Sequence, residues 1–291
     1  MLITERFKNT VFSQTESTVV EYLLKERQNL KHKTAKQISA ETYTNASMLI
    51  RIAKKLGFDG WSGLKEAYLE EIRYLDSHFT DIDSNLPFAE HDNCMAIAGK
   101  LAHLNQSTIN DSLSLFKYES LSEAIRLMNQ SENIKLFTIN ENQLIAQDFV
   151  FRMNRISKYT TLCMVDGEYI NEAYTCNPNT CAIIISYTGE SIWSSQLAKI
   201  LKKRRIPIIA ITGIGQSILS DQADCVLHIT TRERLYSKIA SFTTTISINY
   251  ILDVLYSCVF AQNYQANLKR KIQISKITDH RKTTSQIMEE I

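Results

Sequence analysis

The 291-residue sequence predicts an α/β protein in two parts: an all-α N-terminal domain, then a five-stranded parallel sheet wound on both faces by helices. Three observations carry this. Gly (8) and Pro (3) are scarce, which favours long helices over an all-β sandwich. Up to about residue 130, apolar residues recur at helical spacing. Beyond it come five short apolar runs, IKLFTI (134–139), YTTLCMV (159–165), CAIIIS (181–186), IPIIAIT (206–212) and CVLHIT (225–230). Each has the length of a buried strand, and amphipathic stretches separate most of them, the pattern of βαβ units.

In chain order, Ser13-Gln14-Thr15-Glu16 is a capping box ahead of VVEYLLKE. Thr34 to Leu75 reads as short helices with brief turns, and residues 1–75 form one helical domain. DSHFTDIDSNLPFAEHD is polar and acidic and contains Pro87, so 76–93 is a linker. Helical spacing returns over 94–116 and 120–130 and opens the α/β domain, 94–265. Right-handed crossovers place every strand's carboxyl end along one edge, where ligands usually sit. A long helix is expected over Leu235–Phe260, followed by a basic, polar tail, 266–291.

Composition excludes some functions. Apolar residues make up 44% and charged residues 22%, an ordinary globular balance, and the net charge of +2 confines any nucleic-acid surface to one region. No apolar run is read as reaching the roughly 18 residues of a membrane-spanning helix. The N-terminus lacks a signal peptide's apolar core, so a cytoplasmic protein is expected. Six cysteines without a CxxC pair read as reduced, mostly buried thiols, and no two of the six histidines stand three or four apart as a zinc site would want. Neither a metal nor a cofactor is expected.

In TAKQISAETYTNASMLIRIAKKLGF (34–58), Leu49, Ile52, Ala53 and Leu56 fall on one helix face. Asn45 stands where it can cap that helix, and Gly57 where a left-handed cap ends it. The preceding helix, 34–42, turns Ala35, Ile38 and the small Ser39 inward. Two short helices joined by about three residues make a helix-turn-helix. The outer face of the second carries Asn45, Ser47, Met48, Arg51, Lys54 and Lys55. Arg51 suits guanine O6 and N7, and the lysines suit phosphates. Against this stands the reading of a solvated basic face, and Tyr43 occupies the turn position where Gly is usual, at a cost of roughly 1 kcal/mol or more.

The stretch ISYTGES (185–191) ends an apolar run and precedes a helix-like segment. A helix N-terminus offers unpaired N–H groups and partial positive charge. Ser186, Thr188 and Ser191 add hydroxyls, and Gly189 and Glu190 complete the turn. There is no GxxxxGK[ST] and no GxGxxG, so nucleotide binding is not indicated. A plain capped strand-to-helix turn is the competing reading.

The run ISYTGESIWSSQLAKILKKRRIPIIAITG resembles the sugar-isomerase (SIS) domain, with its strand, Ser-x-Ser/Thr-Gly-x-Ser/Thr turn, helix and next strand. SILSDQADCVLHI resembles that domain's next connection, and ASMLIRIAKKLGFDGWSGLK the recognition helix of RpiR-type bacterial regulators. These join a helix-turn-helix domain to a SIS domain in this order, and the resemblance covers roughly residues 1–265. It implies a SIS fold, a double-stranded DNA operator near sugar-catabolism genes, repression, and a sugar-phosphate effector. The assembly it implies is a homodimer, with a tetramer left open.

The first strand's turn departs from the family pattern. Its glycine positions fall on Thr138 and Asn140, and its Ser-Ser pair on Glu141 and Asn142. Asn140-x-x-Gln143 nevertheless reads as a capped helix start, and Asn140 and Asn142 stay ligand candidates. Three outcomes are open: the second turn holds the ligand alone, the ligand is less anionic, or the domain only dimerises. An aldose–ketose isomerase, with Glu233 or His228 as base, is the enzymatic alternative.

Overall fold

The computed structural model describes residues 2–77, 82–165 and 167–281. The helical domain comprises α1 (Ile3–Asn9), α2 (Gln14–Glu26), a short 3-10 helix (Arg27–His32), α3 (Ala35–Glu41), α4 (Ala46–Lys55) and α5 (Trp61–Ser77). Ser13 closes its capping box: Ser13 N donates to Glu16 Oε2 at 2.8 Å, and Glu16 N to Ser13 Oγ at 3.4 Å. Thr34 and Gln37 form a second box at the start of α3. Val19, Leu23, Leu30, Ile38, Leu49, Ile52, Leu64, Tyr68 and Ile72 meet in one core, each nearly inaccessible to solvent.

The second domain opens with α6 (Cys94–Ser114) and α7 (Tyr118–Gln130). Strands β1 (Asn133–Phe137), β2 (Thr160–Leu162), β3 (Thr180–Ser186), β4 (Ile208–Thr212) and β5 (Cys225–His228) form one sheet, ordered β2-β1-β3-β4-β5 and parallel throughout. Side chains alternate as the pleat requires. Cys181, Ile183 and Ile185 face a core shared with α7, α8 (Asn142–Arg155) and α12 (Phe242–Gln262). Ala182 and Ile184 face α9 (Tyr169–Thr175), α10 (Ile192–Lys203) and α11 (Ile218–Gln222). Burial on both faces explains the continuous apolar run in β3, whose seven residues are all buried. The strand order reverses between β1 and β3, so the turns leaving these two strands flank a topological switch point, the place where open α/β sheets bind ligands.

Three expectations change. The last long helix begins at Phe242, not Leu235. Residues 229–241 run as a loop that returns Glu233 to the start of α12, where its carboxylate accepts from Thr243 N (2.6 Å) and Thr244 N (3.1 Å). α12 is also long and apolar enough, by length and composition, to cross a bilayer, although no such run was expected. Thr, Ser and Asn interleaved in FTTTISINYILDVLYSCVFAQ disguise it, and in the fold it packs against α6, α7 and α8 as a core helix. The described part of the expected linker is folded onto the domain: Asn85 Oδ1 accepts from Arg234 N at 2.7 Å, and Asn85 O from Ile239 N at 2.9 Å. Residues 78–81 of that linker and 282–291 of the tail lie outside the described residues; α13 (Tyr264–Thr278) occupies the tail's first part.

Candidate functional site

The candidate DNA-reading helix is α4. Leu49, Ile52 and Ala53 anchor it in the helical core, and Gly57 ends it with φ +78°. Asn45, Ser47, Arg51 and Lys54 are exposed on its opposite face. Asn45 holds the N-cap position but its side chain does not cap; Ser47 Oγ donates to Asn45 Oδ1 instead. Met48 is half-buried and packs against the core. Lys55 is tied down: its Nζ lies 2.6 Å from the buried Glu16 Oε2 and over the Phe12 ring. The Lys55 partner holds the Glu16 carboxyl below its ordinary range against the opposing effect of burial. Arg51 and Lys54 are therefore the cations of this face that stand clear of such a buried pair.

At the sheet's carboxyl edge, the turn after β3 is held from below. Gly189 has φ +64°, and a Cβ placed there would lie 2.3 Å from Ser217 Oγ and 2.8 Å from Thr212 Oγ1. Gly189 O accepts from Leu219 N at 3.0 Å, which fixes the turn to the first turn of α11. Ser186 Oγ lies 3.4 Å from Ser191 Oγ, which lies 2.7 Å from Ser194 Oγ; Thr188 Oγ1 accepts from Glu190 N at 3.2 Å. Ser191 is the N-cap of α10 without a side-chain cap bond, which leaves the α10 N-terminus open.

The turn after β1 is left-handed at Asn140. Asn140 has φ +56°, the left-handed conformation that glycine takes most easily and Asn tolerates best among other residues. Its side chain makes no cap; its carbonyl accepts from Gln143 N at 3.0 Å, and α8 starts at Asn142 with Glu141 exposed before it. Three oxygens around this edge, Asn142 Oδ1, Thr212 Oγ1 and Thr230 Oγ1, are buried without a hydrogen-bond partner among the described residues. The void lined by Thr138, Gln143, Tyr169 and Trp193 measures about 10 Å³, room for about one water.

Of the two proposed isomerase bases, Glu233 is fully engaged. The Glu233 carboxylate is spent on Thr243 N, Thr244 N, both threonine hydroxyls and Lys238 Nζ (2.8 Å), a helix cap and an ion pair. His228 Nδ1 lies 3.0 Å from Gly213 O, and burial pushes its pKa down, which favours neutral imidazole. The six cysteines are free thiols, and burial raises Cys163 and Cys181 to about 12 and Cys225 to about 11. Such thiols are poor nucleophiles.

The two domains meet through groups that sequence patterns did not single out. Arg6 donates to Gln216 Oε1, in the loop after β4, and to the carbonyl of Leu56, which ends α4; its guanidinium lies 5.7 Å over the Phe58 ring. Lys117 Nζ pairs with Glu70 Oε2 at 2.8 Å. Between the domains lies a cleft of about 510 Å³, lined by Phe58, Ala67, Leu115, Ile214, Gln216 and His228 among others. Thr212 and Ser217 were legible as strand-end and capping hydroxyls; Arg6 and Gln216 carry no local signal.

A helical domain with an exposed basic helix joined to a doubly wound sheet is the architecture of a class of two-domain DNA-binding regulators. Residues 3–75 match the helix-turn-helix domain of the rpiR family, and residues 127–257 match the SIS domain. The chain belongs to the RpiR-type transcriptional regulators. It is 20% identical over 281 residues to an HTH-type transcriptional regulator of Caldanaerobacter subterraneus subsp. tengcongensis, covering 95% of this chain and 96% of that one. To one from Thermotoga maritima it is 23% identical over 274 residues, covering 91% and 95%. Among solved structures, the Vibrio vulnificus NanR protein complexed with ManNAc-6P superposes with TM-score 0.59 at 17% identity, covering 94% of this chain and 97% of that one. The sugar isomerase domain of an RpiR transcription factor from Sphaerobacter thermophilus gives 0.54 at 14% identity, covering 62% and 98%. At these identities the structures establish the fold alone.

Proposed function

We propose that this regulator is a cytoplasmic repressor of sugar-catabolism genes whose grip on a duplex operator is set by a phosphorylated sugar at the sheet's carboxyl edge. The observation that carries the effector assignment is the turn Ser186–Ser191. An uncapped helix N-terminus, three hydroxyls and a left-handed glycine converge beside the switch point, the chemistry of a phosphate nest. The orphan oxygens of Asn142, Thr212 and Thr230 call for hydroxyl-bearing company at the same edge. The NanR structure, described as a complex with ManNAc-6P, supports a sugar phosphate.

On the DNA side, Arg51 reads base edges in the major groove, Lys54 meets phosphate, and Asn45, Ser47 and Met48 line the approach. The route between the sites is short. Gly189 rests on Ser217, Gln216 precedes Ser217, and Arg6 joins Gln216 to the last carbonyl of α4. An effector that binds the two arrangements of this joint unequally shifts DNA affinity by that difference. Exposed Leu144, Met164, Val165, Ile192, Leu235 and Tyr236 follow the carboxyl ends of β1, β2, β3 and β5, and support a second copy closing over this edge as a homodimer.

The void of about 10 Å³ favours a second reading, in which the SIS domain dimerises without a ligand. Thermal unfolding with a panel of sugar phosphates separates the two: an effector at 100 times its Kd adds about 2.7 kcal/mol of stability, and a flat response across the panel leaves the dimerisation reading standing. For the DNA assignment, Arg51→Ala is expected to lose about 1–3 kcal/mol of operator discrimination with the fold intact. Unchanged affinity in a gel shift at fixed salt refutes it.

A further inference from the structure

The turn between α3 and α4 places a residue other than glycine in a left-handed conformation. Tyr43 has φ +54°, the left-handed region, which is uphill for an L-residue other than glycine and, less so, Asn or Asp. The turn requires it: Tyr43 N donates to Ala40 O at 3.3 Å and Thr44 N to Ser39 O at 2.8 Å, which closes the end of α3. Glycine would make both bonds without the strain. The Tyr43 side chain is 96% exposed, and it makes no hydrogen bond, ion pair or ring contact among the described residues. Ser157 (φ +63°) and Arg205 (φ +59°) take the same conformation after α8 and α10, so the shape itself is an ordinary helix stop; Tyr43 differs in carrying a large exposed aromatic there. A strained backbone bearing a large, unengaged aromatic at the mouth of a reading helix points outward for its purpose.

We propose that Tyr43 is a DNA-positioning residue whose phenol hydroxyl donates to a backbone phosphate at the rim of the groove that α4 enters. This rests on α4 being the reading helix. In helix-turn-helix docking the first helix crosses the sugar-phosphate backbone while the second enters the groove, so the turn between them sits at that rim. Tyrosine hydroxyls are among the groups that contact phosphate and fix register without reading sequence. A stiff ring does this with few rotamers to lose, beside the exposed Asn45 and Ser47 at the start of α4.

The test uses the full chain and a duplex selected by the unmodified protein from a random-sequence pool. Tyr43→Gly is expected to raise the thermal midpoint by about 2–4 °C and to weaken duplex binding about tenfold. Tyr43→Phe keeps the strain, leaves the midpoint unchanged, and loses most of the same binding. Because the hydroxyl is uncharged, the salt dependence of binding stays the same in both variants. Tyr43→Gly binding as tightly as the unmodified protein, or failing to raise the midpoint, overturns the proposal; so does full binding by Tyr43→Phe. If the unmodified protein selects no duplex, or Arg51→Ala selects the same one, the assignment of α4 fails first and takes Tyr43 with it.

Discussion

Replacing Gly189 with alanine perturbs the strand-end turn at its tightest point. At φ +64° an alanine incurs about 1–2 kcal/mol of left-handed strain. Its Cβ would also meet Ser217 Oγ at 2.3 Å, Thr212 Oγ1 at 2.8 Å and Ser217 Cβ at 2.9 Å. Relief is limited on both sides. Ser217 Oγ accepts from Ser220 N as the cap of α11, and Thr212 is β-branched and fully buried. Overpacking of this kind costs about 1–3 kcal/mol, so the total is about 2–5 kcal/mol. Equilibrium urea unfolding, followed by circular dichroism and by the fluorescence of Trp61 and Trp193, measures it. Ser217→Ala removes the closest atom but not its Cβ. The double variant should therefore recover at least 0.5 kcal/mol relative to the sum of the singles, roughly the threshold for non-additivity, while keeping the conformational cost. A Gly189→Ala protein within about 0.5 kcal/mol of the unmodified one, or a strictly additive pair, refutes the packing argument.

Arg6→Gln removes the bridge between Gln216 and the end of α4. Duplex and effector should each still bind alone, while the effect of one on the other, typically about 1–3 kcal/mol in coupled systems, falls below about 0.5 kcal/mol. Binding isotherms for DNA with and without the effector decide it, and undiminished coupling removes Arg6 from the route. Glu16, held in its ionised form by Lys55, sets an acid limit on the helical domain. Its folded pKa is depressed, so its contribution is fully present above the ordinary carboxylate pKa of about 4.3 and is lost as pH falls through the folded value. Midpoints measured from about pH 6 to 3 should fall more steeply for the unmodified protein than for Glu16→Gln; parallel curves would show that the pair adds nothing.

Much of this fold was legible because its determinants are local. The box at Ser13–Glu16 marks a real helix start, Gly57 ends α4, and the apolar run 181–186 lies within β3, buried on both faces. Asn140 in place of the family's glycine was legible as a departure from the family pattern, although its left-handed backbone emerged only from φ. What could not be read depends on partners distant in sequence. The start of α12 is set by Glu233 folding back ten residues to Thr243. Asn85 meets the 232–239 loop about 150 positions away, and Arg6 meets Gln216 at a separation of 210. Lys55 looked like a phosphate ligand because no short-range pattern links it to Glu16, 39 residues earlier.

The carboxylate of Glu71 gathers the first amides of α1: it accepts from Ile3 N and, at 2.9 Å, from Thr4 N, and Thr4 Oγ1 donates to it at 2.7 Å. This short opening helix thereby belongs to the reading head as firmly as any longer one. Trimming the chain to a minimal DNA-binding fragment that starts at α2 would strand a nearly inaccessible carboxylate against apolar neighbours and remove Arg6, which reaches Gln216 in the second domain. Fragments for dissecting the two halves must keep residues 3–9. A dye at position 2 would sit next to Ile3, which lines the cleft between the domains.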